Sequence, residues 1–305
     1  MKWIFKAIVQ KGISFLPFGQ KVNFLFQKYV TRGVYLSDQY FEDRLNHCRE
    51  HFRNFKKYNS TANFSHLELG TGWYPVVPTG MFLYGAGSIT TVDIARLCNE
   101  ERTHVTLRKF VEYHQNGKLK KFLPGISEER LNTLLEEAKH PTFDYYAMLE
   151  KHNIVYMVMD ARKLHLADGS IDLITSNNTF EHIYAEILKG ILTEFKRIAR
   201  PGGVMSHSID MSDHFAHFDN SISVYNFLQY SDTQWRWIDN CIQPQNRMRI
   251  YDFRNLYKNL FIPLSEEINL EPNLDEYRKV KVDPKFLDHP ETENAVCYSC
   301  LVSVM

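Results

Sequence analysis

Glu68, Gly70, Thr71 and Gly72 stand in the order E-x-G-T-G, directly after a short apolar run at 64–69. Glycine has no Cβ, so a turn on Gly70 and Gly72 lets the main chain lie close against a ligand. A surface Glu beside an ordinary tight turn is the plainer alternative. A second carboxylate, Asp93, follows Gly72 by 21 positions. That is near the offset of about 20 at which nucleotide folds place an acid on ribose hydroxyls, and a carboxylate can accept from both hydroxyls at once. Asp93 could equally cap a helix starting near Ala95. Far along the chain, His207, Asp210, Asp213, His214, His217 and Asp219 crowd one segment. A histidine oriented by a carboxylate takes a proton from a hydroxyl near neutral pH. His and Asp together could also hold a divalent cation that acidifies the hydroxyl. The candidates for proton transfer are His207, Asp210, His214 and, upstream, His182; no metal is assigned.

These residues need a frame. The run at 64–69, the glycine turn, and Pro75 in the first turn of a helix form a strand–turn–helix unit. Such a unit is the ligand-binding edge of a doubly wound α/β sheet. A dinucleotide fold wants a third glycine where Pro75 stands, and Trp73 and Tyr74 crowd the approach. Further strands are expected at 88–94, 153–159, 171–176, 204–209, 262–270 and 295–304. The segment 36–58 reads as one helix, with Ser37 as N-cap and Lys56 and Lys57 in its last turn. A return from Asp93 to the strand at 153–159 needs far less chain than it has. Residues 100–150 therefore hold a helical insertion, either a lid over substrate or a decoration. Asn178 and Glu181 fit a capping box for a helix at 181–199, so Glu181 is either a cap or a site residue. Arg200-Pro201-Gly202-Gly203 should end that helix and turn the chain.

In motif and order the segment 61–305 resembles the class I S-adenosylmethionine-dependent methyltransferases. The resemblance rests on Glu68-Leu69-Gly70-Thr71-Gly72, Asp93, Asp160-Ala161, the D-G-S turn at 168–170, Glu181-His182 and R-P-G-G. It implies a seven-stranded, mostly parallel sheet with an antiparallel last strand; the helical insertions at about 100–150 and 211–250, and Trp73-Tyr74-Pro75 after the glycines, depart from the family pattern, and the chain adds a basic N-terminal helical arm at 1–60. It implies S-adenosyl-L-methionine as cofactor, a zwitterion with a sulfonium that suits a carboxylate and close backbone. Glu68 would orient its ammonium group and Gly70, Thr71 and Gly72 would line its methionine part. Asp93 would face the ribose with Ile94 beside it on the cofactor side, Asp160 and the Ala161 N–H the adenine, and Asn177 and Asn178 would close the strand end. The acceptor would be a hydroxyl of a sugar, a glycolipid or another small molecule, loosely as in bacterial glycan pathways.

Lys+Arg and Asp+Glu balance at 36 each, which gives no global attraction to nucleic acid. Five scattered cysteines do not read as a disulfide framework, so a reducing, cytoplasmic setting is expected. Cys297 and Cys300 lie on an apolar strand and point to opposite faces, which argues against a metal pair. The first 33 residues carry six positive charges and no acid. Lys2, Lys6 and Gln10 fall on one helical face and Ile4, Phe5, Ile8, Val9 and Ile13 on the other. Such a helix either lies on an anionic membrane surface or covers one end of the sheet. The aromatic stretch 220–250, with Arg247 and Arg249, could hold a glycan or phosphorylated substrate, or could be a packed helical cap. Two rival functions are a nicotinamide oxidoreductase and a non-catalytic module that binds a membrane or a protein partner.

Overall fold

The computed structural model describes residues 2–15, 35–139, 143–241 and 243–305. The expected basic positions Lys21, Lys28 and Arg32 lie outside the described residues. Seven strands form one sheet: β1 (Ser65–Leu69), β2 (Ser88–Asp93), β3 (Ile154–Val158), β4 (Ile171–Asn177), β5 (Ala199–Asp210), β6 (Glu266–Ile268) and β7 (Tyr298–Val304). Their order is β3-β2-β1-β4-β5-β7-β6. The chain divides into two compact units. A sheet unit comprises Leu36–Asn177, Gly190–His207 and Val302–Met305, and an aromatic unit comprises Met1–Tyr35, Asn178–Lys189 and Ser208–Leu301.

In the sheet unit, β1 pairs in parallel with β2 and β4, and β2 with β3. β1, β2 and β4 are covered on both faces beyond their first residues, and all seven positions of β4 are buried, whereas β3 at the edge leaves Val155 and Val158 exposed. The helices here are α2 (Asp38–Tyr58), α3 (Val76–Leu83), α4 (Glu100–Gln115), α5 (Glu128–Lys139), α6 (Tyr145–Lys151) and α7 (Ala185–Ile198), the last beginning in the aromatic unit. Ser37 caps α2 as expected, accepting from the Tyr40 N–H at 3.2 Å. The buried face of α2 mixes Phe41, Leu45, Cys48 and Phe55 with His47, His51 and Asn54. The insertion packs on α3: Ser127 N–H donates to Leu83 O, and Arg130 donates to Phe82 O and Ala86 O. Arg102 of α4 stacks on Trp73 at 4.6 Å.

Three local expectations change. Asn99, not Asp93, caps the helix after β2, which starts at Glu100. The capping box at Asn178 does not form. Asn178 takes a left-handed conformation with φ of 46°, a short 3₁₀ turn follows at Phe180–His182, and α7 begins only at Ala185. R-P-G-G does not turn the chain away either. β5 starts at Ala199, and Gly202 and Gly203 exchange backbone hydrogen bonds with Met305, as antiparallel partners do.

The aromatic unit is built around Trp3, Phe215, Tyr225, Phe227, Trp235, Tyr277 and Phe286. Arg249 is fully buried and donates to the carbonyls of Met211, Asn294 and Val296. Arg247 donates to the carbonyls of Phe227 and Tyr230 and pairs with Asp232. Both arginines therefore fasten loops whose carbonyls lack ladder partners, and neither is presented to a glycan or phosphate. Helix α1 spans Lys2–Ser14. It buries Trp3, Ala7 and Gln10, while Ile4, Phe5 and Ile8 face outward. Lys11 donates to the carbonyls of Arg236 and Asp239.

Gly80 shows how tightly α2 meets α3. A Cβ there would stand 2.5 Å from Cys48 Sγ. Gly80→Ala should cost about 1–3 kcal/mol by overpacking. In a Cys48→Ala background the same change should be neutral or stabilising, because alanine is the better helix former. Thermal melts of the four proteins of this cycle check it.

Candidate active site

The sheet unit builds a charged floor at the end of β1. Gly70 and Gly72 take φ of 78° and 70°, which only glycine adopts without strain. Asp93 Oδ2 accepts from the Gly72 N–H at 2.9 Å, so the acid on β2 pins the turn that follows β1. A Cβ on Gly72 would meet nothing within 4 Å, so the turn faces open space. Glu68 is 2% exposed. Burial pushes its carboxyl up to about 7, against Thr71, Arg44 and Asn177, which favour the charged form. Burial likewise raises Asp93 to about 6, with the Gly72 N–H pulling the other way.

A relay from α2 supports Glu68. Asn54 Nδ2 donates to Ser206 Oγ at 3.1 Å, and Ser206 Oγ lies 2.8 Å from His51 Nδ1. His51 Nε2 lies 2.8 Å from Asn177 Oδ1, and Asn177 Nδ2 reaches Glu68 Oε1 at 3.4 Å. Since Asn177 Oδ1 can only accept, Nε2 carries the His51 proton and the Ser206 hydroxyl donates to Nδ1. Sequence reading missed His51, Asn54, Ser206 and Arg44. Their signal was present: His47, His51 and Asn54 recur at helical spacing on the apolar face of α2.

The remaining candidates of the cofactor side divide. Ala161 is buried, and Ile94, just past β2, is 74% exposed. The Asp160 carboxylate is half-exposed and turned onto Arg162, with contacts of 2.9–3.0 Å to Nε and 2.5 Å to Nη2. Asn178 belongs to the aromatic unit and donates its N–H to Ser208 O.

His207 must be taken out of the proton-transfer set. It is fully buried in β5, its Nδ1 lies 2.8 Å from Ser176 Oγ, and its ring stacks on Phe195 at 5.9 Å. Burial, aided by His51, lowers its pKa to about 3, so it is a neutral core residue. The other three candidates come together within the aromatic unit. His182 and His214 have ring centroids 4.8 Å apart. Asp210 Oδ2 stands 3.6 Å from His214 Nε2 and 3.7 Å from His217 Nε2. Burial opposes ionisation of Asp210, but His214 and the N–H and hydroxyl of Ser212 hold its carboxyl down to about 2. Glu181 is buried beside them. Asp213 and Asp219 serve the loop: Asp213 accepts from Phe215 N–H and Asn226, and Asp219 from Trp3 N–H and Ser221.

Glu68 also sets a pH dependence. Its folded pKa is raised, so the stability it contributes is full below its unfolded value and is lost as pH rises towards 7. Glu68→Gln cannot ionise. Its melting temperature should exceed wild type by a few degrees at about pH 8, and the gap should shrink steadily towards about pH 5. Ligand-free protein melted across that range checks it; a gap that widens on acidification overturns the assignment.

A family model described as a methyltransferase domain matches residues 126–206, the stretch that contains β3, β4, α7 and most of β5. No match is found among curated protein sequences. Solved structures with a similar chain course include a Haloferax volcanii methyltransferase in complex with its Trm112 activator, at 15% identity and a TM-score of 0.45, covering 92% of this chain and 95% of that one. Another is the 1,6-didemethyltoxoflavin-N1-methyltransferase of Burkholderia thailandensis, at 11% identity and a TM-score of 0.46, covering 93% and 85%. A third is the geranyl diphosphate C-methyltransferase of Streptomyces coelicolor, at 7% identity and a TM-score of 0.46, covering 84% and 78%. The Glu68 carboxylate, buried beside a bare glycine turn that opens on free space, fits a cationic amino-acid head. The match to a methyltransferase domain lies across the centre of the sheet that carries this turn.

Proposed function

We propose that the protein is a class I S-adenosylmethionine-dependent methyltransferase, that its acceptor is a hydroxyl of a sugar or another small molecule, glycolipid headgroups included, and that methylation is at oxygen. The observation that carries this is the gathering of Asp210, the last residue of β5, with His182 and His214 just past β4 and β5. A hydroxyl is a poor nucleophile until its proton leaves, and such a cluster supplies acceptors for that proton. Exposed rings of Tyr184, Phe218 and Trp237 in the same unit give faces on which a sugar can stack. The buried roles of Arg247 and Arg249 remove the support for a phosphorylated acceptor.

S-adenosylmethionine supplies a methyl group made electrophilic by its sulfonium. For the chain's own part, Glu68 would hold the ammonium group and Gly70, Thr71 and Gly72 would line the methionine part. Asp93, while pinning the turn, would accept from the ribose. Ile94 offers an uncovered apolar side chain to a flat ring. Asp160 and the Ala161 N–H would reach the adenine once Asp160 leaves Arg162, and Asn177 and Asn178 would close the strand end. The protein's contribution to rate is then alignment and proton removal.

His214→Ala or Asp210→Asn should lower turnover at least about 100-fold, with affinity for S-adenosylhomocysteine within about threefold of wild type. Unchanged turnover, or a large loss of cofactor affinity, would take these residues off the acceptor side. Binding of S-adenosylhomocysteine should also tighten between about pH 6 and pH 8, as Glu68 ionises, and Glu68→Gln should flatten that dependence.

The outward face of α1 favours a second site of action, on a membrane surface. Ile4, Phe5 and Ile8 are 45%, 66% and 65% exposed, an arrangement that suits insertion of an apolar helix face among lipid headgroups. No described helix is long and apolar enough to cross a membrane. Wild type should float with anionic liposomes, and a Phe5→Ser/Ile8→Ser variant should stay behind. Equal flotation of the two would sink the membrane proposal.

A further inference from the structure

We propose that Glu181, His182 and His214 form a binding site for a divalent transition-metal ion. One ligand atom from each lies within 4.8 Å of the others, and all three residues belong to the aromatic unit. Such ions hold imidazole nitrogen and carboxylate oxygen at about 2.0–2.2 Å, so side-chain shifts of about an ångström close the set. Two imidazoles and one carboxylate are a donor set used by zinc and by iron(II), and they leave coordination positions open.

The surroundings are prepared for ligation. His182 Nδ1 lies 2.7 Å from the carbonyl oxygen of Pro244. A carbonyl only accepts, so the proton sits on Nδ1 and Nε2 keeps its lone pair. Metal-binding histidines are oriented in this way through their second nitrogen. His214 Nε2 is buried and makes no hydrogen bond of normal length, while its backbone N–H is held by Gln245 Oε1 at 3.2 Å. Asp210 Oδ2, 3.6 Å from that nitrogen, stands where it could add a ligand or receive a proton from a molecule on the ion.

The catalytic consequence, unlike the binding, rests on the hydroxyl acceptor proposed above. A hydroxyl beside a divalent cation loses its proton more readily. With both imidazoles engaged, that proton passes to Asp210.

The test uses the full chain, stripped with EDTA and titrated with Co²⁺, whose visible absorption reports nitrogen and oxygen ligation. Wild type should show a saturable band at one equivalent. His182→Ala, His214→Ala and the volume-conserving Glu181→Gln should each weaken binding about 10-fold or more. His217→Ala, whose ring is largely exposed, should leave the band unchanged. No band in wild type, or a band that survives the His182, His214 and Glu181 changes in folded protein, overturns the site. Should a histidine variant unfold on melting analysis, Glu181→Gln decides. S-adenosylhomocysteine binding on the same samples reads the cofactor side separately, so its persistence without a cobalt band rejects the metal site and leaves the methyltransferase assignment intact.

Discussion

A carboxylate buried at the end of the first strand sets the terms for the rest of the sheet unit. Taking the Glu68 charge out of water is costly unless polar groups surround it. The chain meets that cost locally and remotely. Thr71 comes from the adjacent turn. Asn177 comes from the end of β4, held by His51 of α2, which is itself held by Ser206 of β5. One acid therefore ties together the glycine turn, two further strands and the long helix that precedes the sheet. Its raised pKa shows the compensation to be partial, and a cationic ligand head is what would complete it.

Asp93 carries a related double load. Its hydrogen bond to Gly72 fixes a turn in which two glycines adopt left-handed backbone. The residue proposed for the ribose thus also shapes the turn proposed for the methionine part. Such coupling makes the end of β2 and the turn after β1 interdependent without any ligand present.

The frame was legible in the sequence wherever the signal was local. Ser37, the bounds of α4, the glycine turn and the run of strands follow from caps, turns and short-range patterns. What escaped depends on partners far along the chain. Asn178 and Glu181 have the spacing of a capping box, but Asn178 adopts a left-handed conformation and the helix starts later. Arg247 and Arg249 read as ligand-binding cations only until the carbonyls of Met211, Asn294, Val296, Phe227 and Tyr230 are seen to take them up. Amphipathicity located α1 but could not say which face turns inward. There, Trp3 packs against Phe215 and Tyr230 and leaves Ile4 and Ile8 outside.

The histidines sharpen this point, because residue type alone misleads about their role. His51, His66 and His207 are buried on strands or on the core face of a helix. Each has a hydroxyl partner, from Ser206, Thr175 and Ser176 respectively, and burial lowers each pKa to about 3. They are therefore neutral near pH 7 and act as polar spacers in the core. His182, His214 and His217 lie past the ends of β4 and β5, where the covering of both strand faces stops. In β5 every position from 203 to 209 is buried, and Asp210 is the first that is not. The boundary between a core histidine and one that can meet a ligand is therefore set by where the strand ends, a few residues after His207. Reading the chemistry of this chain depends on that register more than on the count of histidines in the segment.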